Sequence, residues 1–138
     1  MSPPVRRLNV SSGSPFEDEV GYSRAVRVGS LAVVAGTTAP GGDVGTQTRE
    51  ILRRIEAALA ECGAALTDVV RTRMFITDIT SWREVAVVHG EVFGNVRPVA
   101  TMVEVSALIA PDLLIEIEAD AYVGDWPIGG KRPSSPGA

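Results

Sequence analysis

Carboxylates and guanidinium groups recur at every second position of two apolar stretches of the chain. In the stretch IEIEADAY, Glu116, Glu118 and Asp120 alternate with apolar residues, and in an earlier stretch Arg71 and Arg73 alternate in the same way. Alternate side chains of a β-strand lie on one face of a sheet. We therefore expect acidic and basic groups to meet on one sheet face, where they can pair with each other or bind an ion of opposite charge.

The opposite face of these stretches is apolar and suits burial under helices. In the last stretch, the apolar face comprises Ile115, Ile117, Ala119, Ala121 and Val123. In the earlier stretch, it comprises Val70, Thr72, Met74 and Ile76. We assign Ala100, Met102 and Glu104 of a third stretch to the polar face, with Phe75 and Tyr122. Such a mixed face is either an open, solvated surface with ion pairs or a polar subunit interface with a cleft at its rim. The apolar groups on it favour the interface.

Further arginines are candidates for anion binding. Tyr22 and Arg24 share a face at the start of the first predicted hairpin. Arg24 is expected either to contact a ligand anion or to form an interface ion pair, because guanidinium groups bind carboxylates in a bidentate manner. For Arg73 we expect a salt bridge to Glu104 or Glu118 across the sheet.

The composition limits the other kinds of site. The chain has one cysteine, Cys62, and one histidine, His89, so neither an internal disulfide nor an ordinary His/Cys metal site is expected. Cys62 lies on the apolar stripe of a predicted helix and reads as a core residue, and His89 reads as a packing or capping residue. A net charge of −4 argues against binding to nucleic acid.

The length of 138 residues, of which 45% are apolar but only 5% aromatic, predicts one domain with a Val, Ala, Leu and Ile core. A domain of this size is expected to hold a ligand in a surface cleft or a subunit junction. We place the domain at residues 1–123 and a flexible Gly/Pro/Ser-rich tail at 124–138. The sequence shows neither a membrane span nor an apolar signal core, so we expect a cytoplasmic protein.

The elements that position these residues follow from periodicity. Helical spacing predicts helices over 48–62 and 81–94, the second with a capping box from Ser81 to Glu84. Short β-rich segments predict strands at 5–10, 25–28, 31–35, 69–77, 99–105 and 113–123. This order predicts an α+β domain whose two helices cover one face of a single sheet.

At this point the sequence resembles a known family. The run RPVATMVEVSALIAPDLLIEIEADAYV resembles the C-terminal motif of the Rid family, also named YjgF, reactive intermediate deaminase or endoribonuclease L-PSP. GYSRAVRVGSLAVVAGTTAP is similar to the first hairpin of the family, and DVVRTRMFITDITSWREVAVVHGEVFG to its strand and second helix. The resemblance runs from about Pro15 to Val123.

The resemblance implies a chorismate-mutase-like fold with a single mixed sheet, and a homotrimer with clefts between neighbouring subunits. Family members that hydrolyse imines and enamines use neither a metal nor another cofactor. In them an arginine after a Pro-x pair binds the substrate carboxylate, and a glutamate of the EIEA segment positions water. The ligand implied for this chain is a small molecule with a carbonyl or carboxylate group.

Carried onto this sequence, the catalytic glutamate is Glu118, and Ala100 stands where active members have the arginine. The missing arginine predicts negligible hydrolysis of 2-iminopropionate unless Arg24 or, less readily, Arg97 replaces it. The backbone of 36–38 is expected to offer N–H donors, as in the family. The expected ligand-binding residues are Tyr22, Arg24, Gly36, Thr37, Ala100, Thr101 and Glu104.

Three functions remain open at this level. The first is a small-molecule hydrolase or deaminase that acts on an imine, an enamine or a related reactive metabolite. The second is a trimer that binds a small metabolite without chemistry. The third, an endoribonuclease or translation inhibitor, is disfavoured by the acidic net charge of −4.

Overall fold

Six short segments with alternating or continuous apolar residues form one mixed sheet in the computed structural model, which describes residues 6–124. The strands are β1 (Arg7–Val10), β2 (Ala25–Val28), β3 (Leu31–Thr37), β4 (Val69–Ile76), β5 (Val99–Glu104) and β6 (Ile115–Tyr122). Their order in the sheet is β1-β2-β3-β6-β4-β5. The predicted α+β architecture with a single mixed sheet is confirmed.

The connection between β4 and β5 explains why the sheet is mixed. These two strands are parallel, whereas all other neighbouring pairs are antiparallel. A parallel pair needs a crossover connection, which is usually a helix. Here the crossover is α3 (Trp82–Phe93), and the long α2 (Val44–Glu61) packs beside it on the same face of the sheet.

Helix α2 begins four residues before its predicted start. The side chain of Asp43 accepts a hydrogen bond of 2.8 Å from the backbone N–H of Thr46 and so caps the helix. Val44 and Gln47, in the added turn, are buried. At the other end Gly63 adopts a φ of 73°, which a glycine takes without strain, and the chain leaves the helix.

The prediction of a capping box on α3 is wrong. Ser81 makes no side-chain capping hydrogen bond. A 3₁₀ turn (Ile79–Ser81) precedes the helix, and the side chain of Asp78 accepts hydrogen bonds from the N–H and the hydroxyl of Thr80. The capping hydrogen bonds before α3 are therefore made by Asp78, three residues earlier than the spacing predicted.

The core lies between the sheet and the two long helices. It is built from aliphatic side chains of β3, β4, β6, α2 and α3, and Phe93 is its large aromatic residue. Cys62 is 2% exposed, so its predicted place in the core is confirmed. Burial raises the pKa of its thiol, which makes it a poor nucleophile.

A buried arginine, which the sequence pattern did not single out, binds the C-terminal end of α2. Arg27 is 2% exposed. Its Nη1 donates to the backbone carbonyl of Cys62 and its Nε to that of Gly29, each at 2.9 Å. A cation at a helix C-terminus is favourable because the last carbonyls carry partial negative charge. Arg27 thus ties the β2 hairpin to the end of α2.

The assignment of Val70 to the buried face of β4 is wrong. Val70 is 49% exposed, whereas Val69 is 3% exposed. The pairing of β4 with β6 shifts register between Val69 and Arg71, and such a bulge inserts one extra residue into a strand. The alternation predicted for the strand therefore holds only from Arg71 onward.

The assignment of Ala100, Met102 and Glu104 to the polar face is also wrong. They pair with Thr72, Met74 and Ile76 of β4, and directly paired residues of neighbouring strands point to the same face. That face is the one under the helices, and Met102 packs against the core. The polar face of β5 instead carries Val99, Thr101 and Val103.

Two expectations concern the ends of the chain and membranes. Val5 and nearly all of the predicted tail, 125–138, lie outside the described residues. Among residues 6–124, no helix has the length and apolar character that crossing a bilayer requires.

Candidate functional site

A cavity of about 1130 Å³ opens where β3 ends. Its walls come from the loop 11–14, α1 (Pro15–Val20), the start of the β2 hairpin, the end of β3, one side of α2 and the loop before β6. The pairing of β3 with β6 shifts between Val34 and Thr37, so the strand bulges at this point. Bulges re-aim side chains, and this one lies at the cavity.

Arg24 is held at the cavity by two hydrogen bonds from one nitrogen. Its Nη1 donates to the carbonyl oxygen of Gly36 at 3.0 Å and to Oγ1 of Thr37 at 2.9 Å. The guanidinium carbon lies 5.8 Å from the ring centroid of Tyr22, within the range of a cation–π contact. Thr37 in turn donates to the carbonyl of Ala35 at 2.8 Å. Among residues 6–124, the hydrogen bonds of the Arg24 side chain come from Nη1.

Among the described residues the carboxylates of Glu61 and Glu116 line this cavity, and Glu116 is the one that lies on β6. Its side chain lies against Gly36, and a Cβ added there would overlap Oε2. The pKa of Glu116 is raised, first by burial and then by the neighbouring charge of Glu118, while Arg24 acts in the opposite direction. The site thus holds a carboxyl group that keeps its proton to higher pH than usual, close to a fixed guanidinium group.

Glu118, the glutamate expected to be catalytic, has a different environment. Its Oε1 lies 3.2 Å from Nη1 of Arg73, and Oδ2 of Asp120 lies 3.4 Å from the same nitrogen. The predicted ion pair between Arg73 and Glu118 is therefore confirmed. Glu118 is not among the residues that line the cavity in the described part of the chain.

The expected site residues of β5 are also remote from the cavity within one chain. Two strands, β6 and β4, separate β3 from β5, a distance of roughly 14 Å at the usual strand spacing. Ala100 and Thr101 pair with Thr72 and Arg73. Glu104 accepts a hydrogen bond of 3.1 Å from the N–H of Ile79. The structure therefore brings together Tyr22, Arg24, Gly36 and Thr37, but not Ala100, Thr101 and Glu104.

The sequence analysis missed the loop 11–14 and the residue that holds it. Glu17 is 7% exposed and accepts hydrogen bonds from the backbone N–H of Ser12, at 2.9 Å, and from its hydroxyl. These hydrogen bonds lower the pKa of Glu17 to about 2. The sequence SPFE offered a signal, because a serine cap, a proline at the first helical position and a glutamate two residues later are typical of a helix start.

His89 lies away from the cavity. Its Nε2 is 2.9 Å from Oγ1 of Thr72, and its ring packs on that of Phe93 with 4.7 Å between centroids. Burial lowers the pKa of His89, so the ring is neutral at pH 7. Its predicted packing role is confirmed. Within residues 6–124, no group of three or more His, Cys, Asp or Glu side chains is placed to hold a metal ion.

One mixed sheet with a helical layer on one face defines a small α+β protein, and its cavity contains Arg24 and Glu116. The family model "Endoribonuclease L-PSP" matches residues 14–123. The chain belongs to this family, which also includes the YjgF and Rid proteins.

Individual relatives agree with this assignment. A Mycobacterium tuberculosis member of the YjgF/YER057c/UK114 family is 66% identical, with a TM-score of 0.84 over 86% of this chain and all of that chain (100%). An uncharacterised protein of Streptomyces coelicolor is 38% identical over 87% of this chain and 93% of its own length. A RutC family protein of Pyrococcus abyssi is 38% identical over 73% and 85% of the two chains.

Proposed function

We propose that the chain is a small-molecule hydrolase that acts on an imine or enamine bearing a carboxylate group. The observation that carries this proposal is the presence of Arg24 and Glu116 on one cavity, on either side of Gly36. An anion-binding group and a proton-exchanging group are the two functions that hydrolysis of an imino acid requires.

Arg24 binds the carboxylate of the substrate. It takes over the role of the family arginine, which is absent because Ala100 stands at that position. Its guanidinium group is fixed in advance by Gly36 and Thr37, so little side-chain entropy is lost when a ligand binds. A charge-assisted, bidentate contact also sets the orientation of the ligand.

Glu116 positions and activates the water molecule. The water oxygen bonds to the imine carbon, and one water proton passes to the imine nitrogen through the carboxyl group of Glu116. The hydroxyl group of this adduct then gives its proton to nitrogen through the same carboxyl group. The carbon–oxygen double bond forms as the carbon–nitrogen bond breaks, and the products are a 2-oxo acid and ammonia. The raised pKa of Glu116 favours its protonated form more than in an ordinary glutamate, which suits a group that must both accept and donate a proton.

Glu118 is assigned a structural role in this proposal. Its ion pair with Arg73 occupies it on the polar sheet face, at 3.2 Å. Among the described residues Glu118 does not line the cavity that contains Arg24. The catalytic role predicted for Glu118 is therefore transferred to Glu116, two residues earlier on the same strand face.

The active form is proposed to be a homotrimer. The face of the sheet opposite the helices exposes Tyr122 (61%), Val99 (60%) and Val103 (43%) beside the Arg73–Glu118 pair. Apolar and paired charged groups on one face match the composition of a subunit interface. A neighbouring copy seated there would also bring Thr101, which lies on the same face of β5 as Val99 and Val103, toward a cleft.

A second candidate is a metabolite-binding protein without chemistry, and the alanine at position 100 favours it. An RNA-directed activity is a third: a Thermotoga maritima relative, 29% identical with a TM-score of 0.71 over 88% of this chain, is described as a putative endoribonuclease. The assay that separates the hydrolase from the binding protein measures the release of ammonia from an imino acid that an amino-acid oxidase generates in situ. Acceleration supports the hydrolase, whereas carboxylate binding without acceleration supports the binding protein.

A further inference from the structure

Part of the cavity wall is apolar, and the proposed chemistry does not use it. Phe16 and Val20 lie four residues apart on α1, share a face and are 46% and 71% exposed. Ile109, in the loop before β6, is 71% exposed. Ala57 lies on the exposed side of α2. All four side chains line the cavity that also contains Arg24 and Glu116.

The size of the cavity matters as much as its wall. At about 1130 Å³, it is comparable with the roughly 300–1,000 Å³ of pockets for drug-sized ligands. A three-carbon imino acid bound at Arg24 would leave the four apolar side chains in water. A ligand with an apolar body would cover them and remove their surface from solvent, which is favourable.

We propose that the wall formed by Phe16, Val20, Ala57 and Ile109 is a subsite for the apolar body of the substrate. The preferred ligand is then a carboxylate with a branched or aromatic side chain. The inference rests on the proposed function, because it uses Arg24 as the anchor of the carboxylate. The subsite also predicts weak turnover of 2-iminopropionate, which has no apolar body to bury.

Two stable acids with the same head group test the subsite on the full chain. Propionate and 3-phenylpropionate differ by one phenyl ring, and both are titrated into the protein with NMR detection. We expect 3-phenylpropionate to bind at least about 10-fold more tightly, since burial of part of a ring is worth this much. Ala57→Phe should abolish most of that preference, because its ring takes the space of the ligand's ring.

Glu56→Phe is the matched control, because Glu56 is exposed on the same helix but does not line the cavity. It should keep the preference for 3-phenylpropionate. Equal affinity of the wild-type protein for the two acids would overturn the subsite and leave the proposed function standing. If the wild-type protein binds neither acid, both the subsite and the proposed function are overturned.

Light scattering on the same samples separates the subsite from a contact between copies of the chain. We expect Ala57→Phe to have the mass of the wild-type assembly. If Ala57→Phe or Phe16→Ser changes that mass, the apolar wall is a subunit contact and the subsite is overturned. Arg24→Met should weaken the binding of both acids. If both acids bind this variant as tightly as the wild type, Arg24 does not anchor the carboxylate, and both proposals are contradicted.

Discussion

The carboxylate of Glu116 occupies the space that a side chain on Gly36 would fill. The glycine is required here for this close approach, since its φ is not in the left-handed region. The same residue offers its carbonyl oxygen to Arg24 at 3.0 Å. One position without a side chain therefore sets both charged groups of the proposed site.

Gly36→Ala should displace Glu116 and leave the fold intact. The added Cβ meets the flexible end of a side chain, so we expect a stability loss of only about 1 kcal/mol. Activity should fall about 100-fold, because a small misplacement of a catalytic group is costly. Circular dichroism melting and ammonia release measure the two effects. Wild-type activity in Gly36→Ala would show that the position of Glu116 is unimportant.

Arg24→Met should weaken carboxylate binding about 10- to 100-fold, which corresponds to the loss of charge-assisted hydrogen bonds. Methionine keeps much of the side-chain length and removes the charge. Arg49→Met is the control, because Arg49 is paired with Glu91 on the exposed helix surface, at 2.9 Å. NMR titration with propionate gives the affinities. Equal affinity in the two variants would rule out Arg24 as the anchor.

The lowered pKa of Glu17 predicts that its contribution to the free energy of unfolding depends on pH. Its pKa is about 2 in the folded chain against an ordinary value of 4.5, so the unfolded chain binds its proton first. The stabilisation by Glu17 is complete above about pH 4.5 and is lost as the pH falls toward 2. Urea unfolding at several pH values should show Glu17→Gln less stable than wild type at pH 7, with a difference that shrinks on acidification.

Glu19→Gln is the control for that experiment, because Glu19 is exposed on the same short helix. We expect it to follow the wild-type stability curve over the whole pH range. A difference between wild type and Glu17→Gln that stays constant from pH 7 to pH 3 would mean that Glu17 stabilises the fold independently of its charge, and it would contradict the prediction.

The proposed homotrimer predicts a mass of about 43.5 kDa for three copies of the 14.5 kDa chain. Val103→Glu places a charge on the polar sheet face and should shift the assembly toward 14.5 kDa. Val87→Glu, at a 61% exposed position of α3, should not. Light scattering at micromolar concentration distinguishes these cases. A wild-type monomer would contradict the interface.

Much of the fold could be predicted because its segments are regular. The last strand alternates without interruption, and Ile115, Ile117 and Ala119 are buried as expected. One failure occurred where the register changes. The bulge after Val69 reverses the expected burial of Val70. A bulge depends on pairing with a distant strand, so alternation within one strand cannot locate it.

The site could be predicted only in part, for a related reason. Tyr22 and Arg24 share a face of a predicted hairpin, so the local pattern brought these two together, whereas Gly36 and Thr37 were expected from the resemblance to the family. Glu116 and Glu118 share a strand face but have different neighbours: Glu116 lies against Gly36, whereas Glu118 pairs with Arg73. That choice depends on the register of β6 against β3 and β4, and a carboxylate pattern with period two cannot decide it.

The central claim is that Glu116, and not Glu118, handles the water. The most direct measurement compares ammonia release by Glu116→Gln, Glu118→Gln and the wild-type protein, with an imino acid generated in situ. We predict a loss of at least about 100-fold for Glu116→Gln, in the range of a missing general acid–base group. Glu118→Gln should retain most of the activity. Full activity in Glu116→Gln, or its loss in Glu118→Gln alone, would contradict the account.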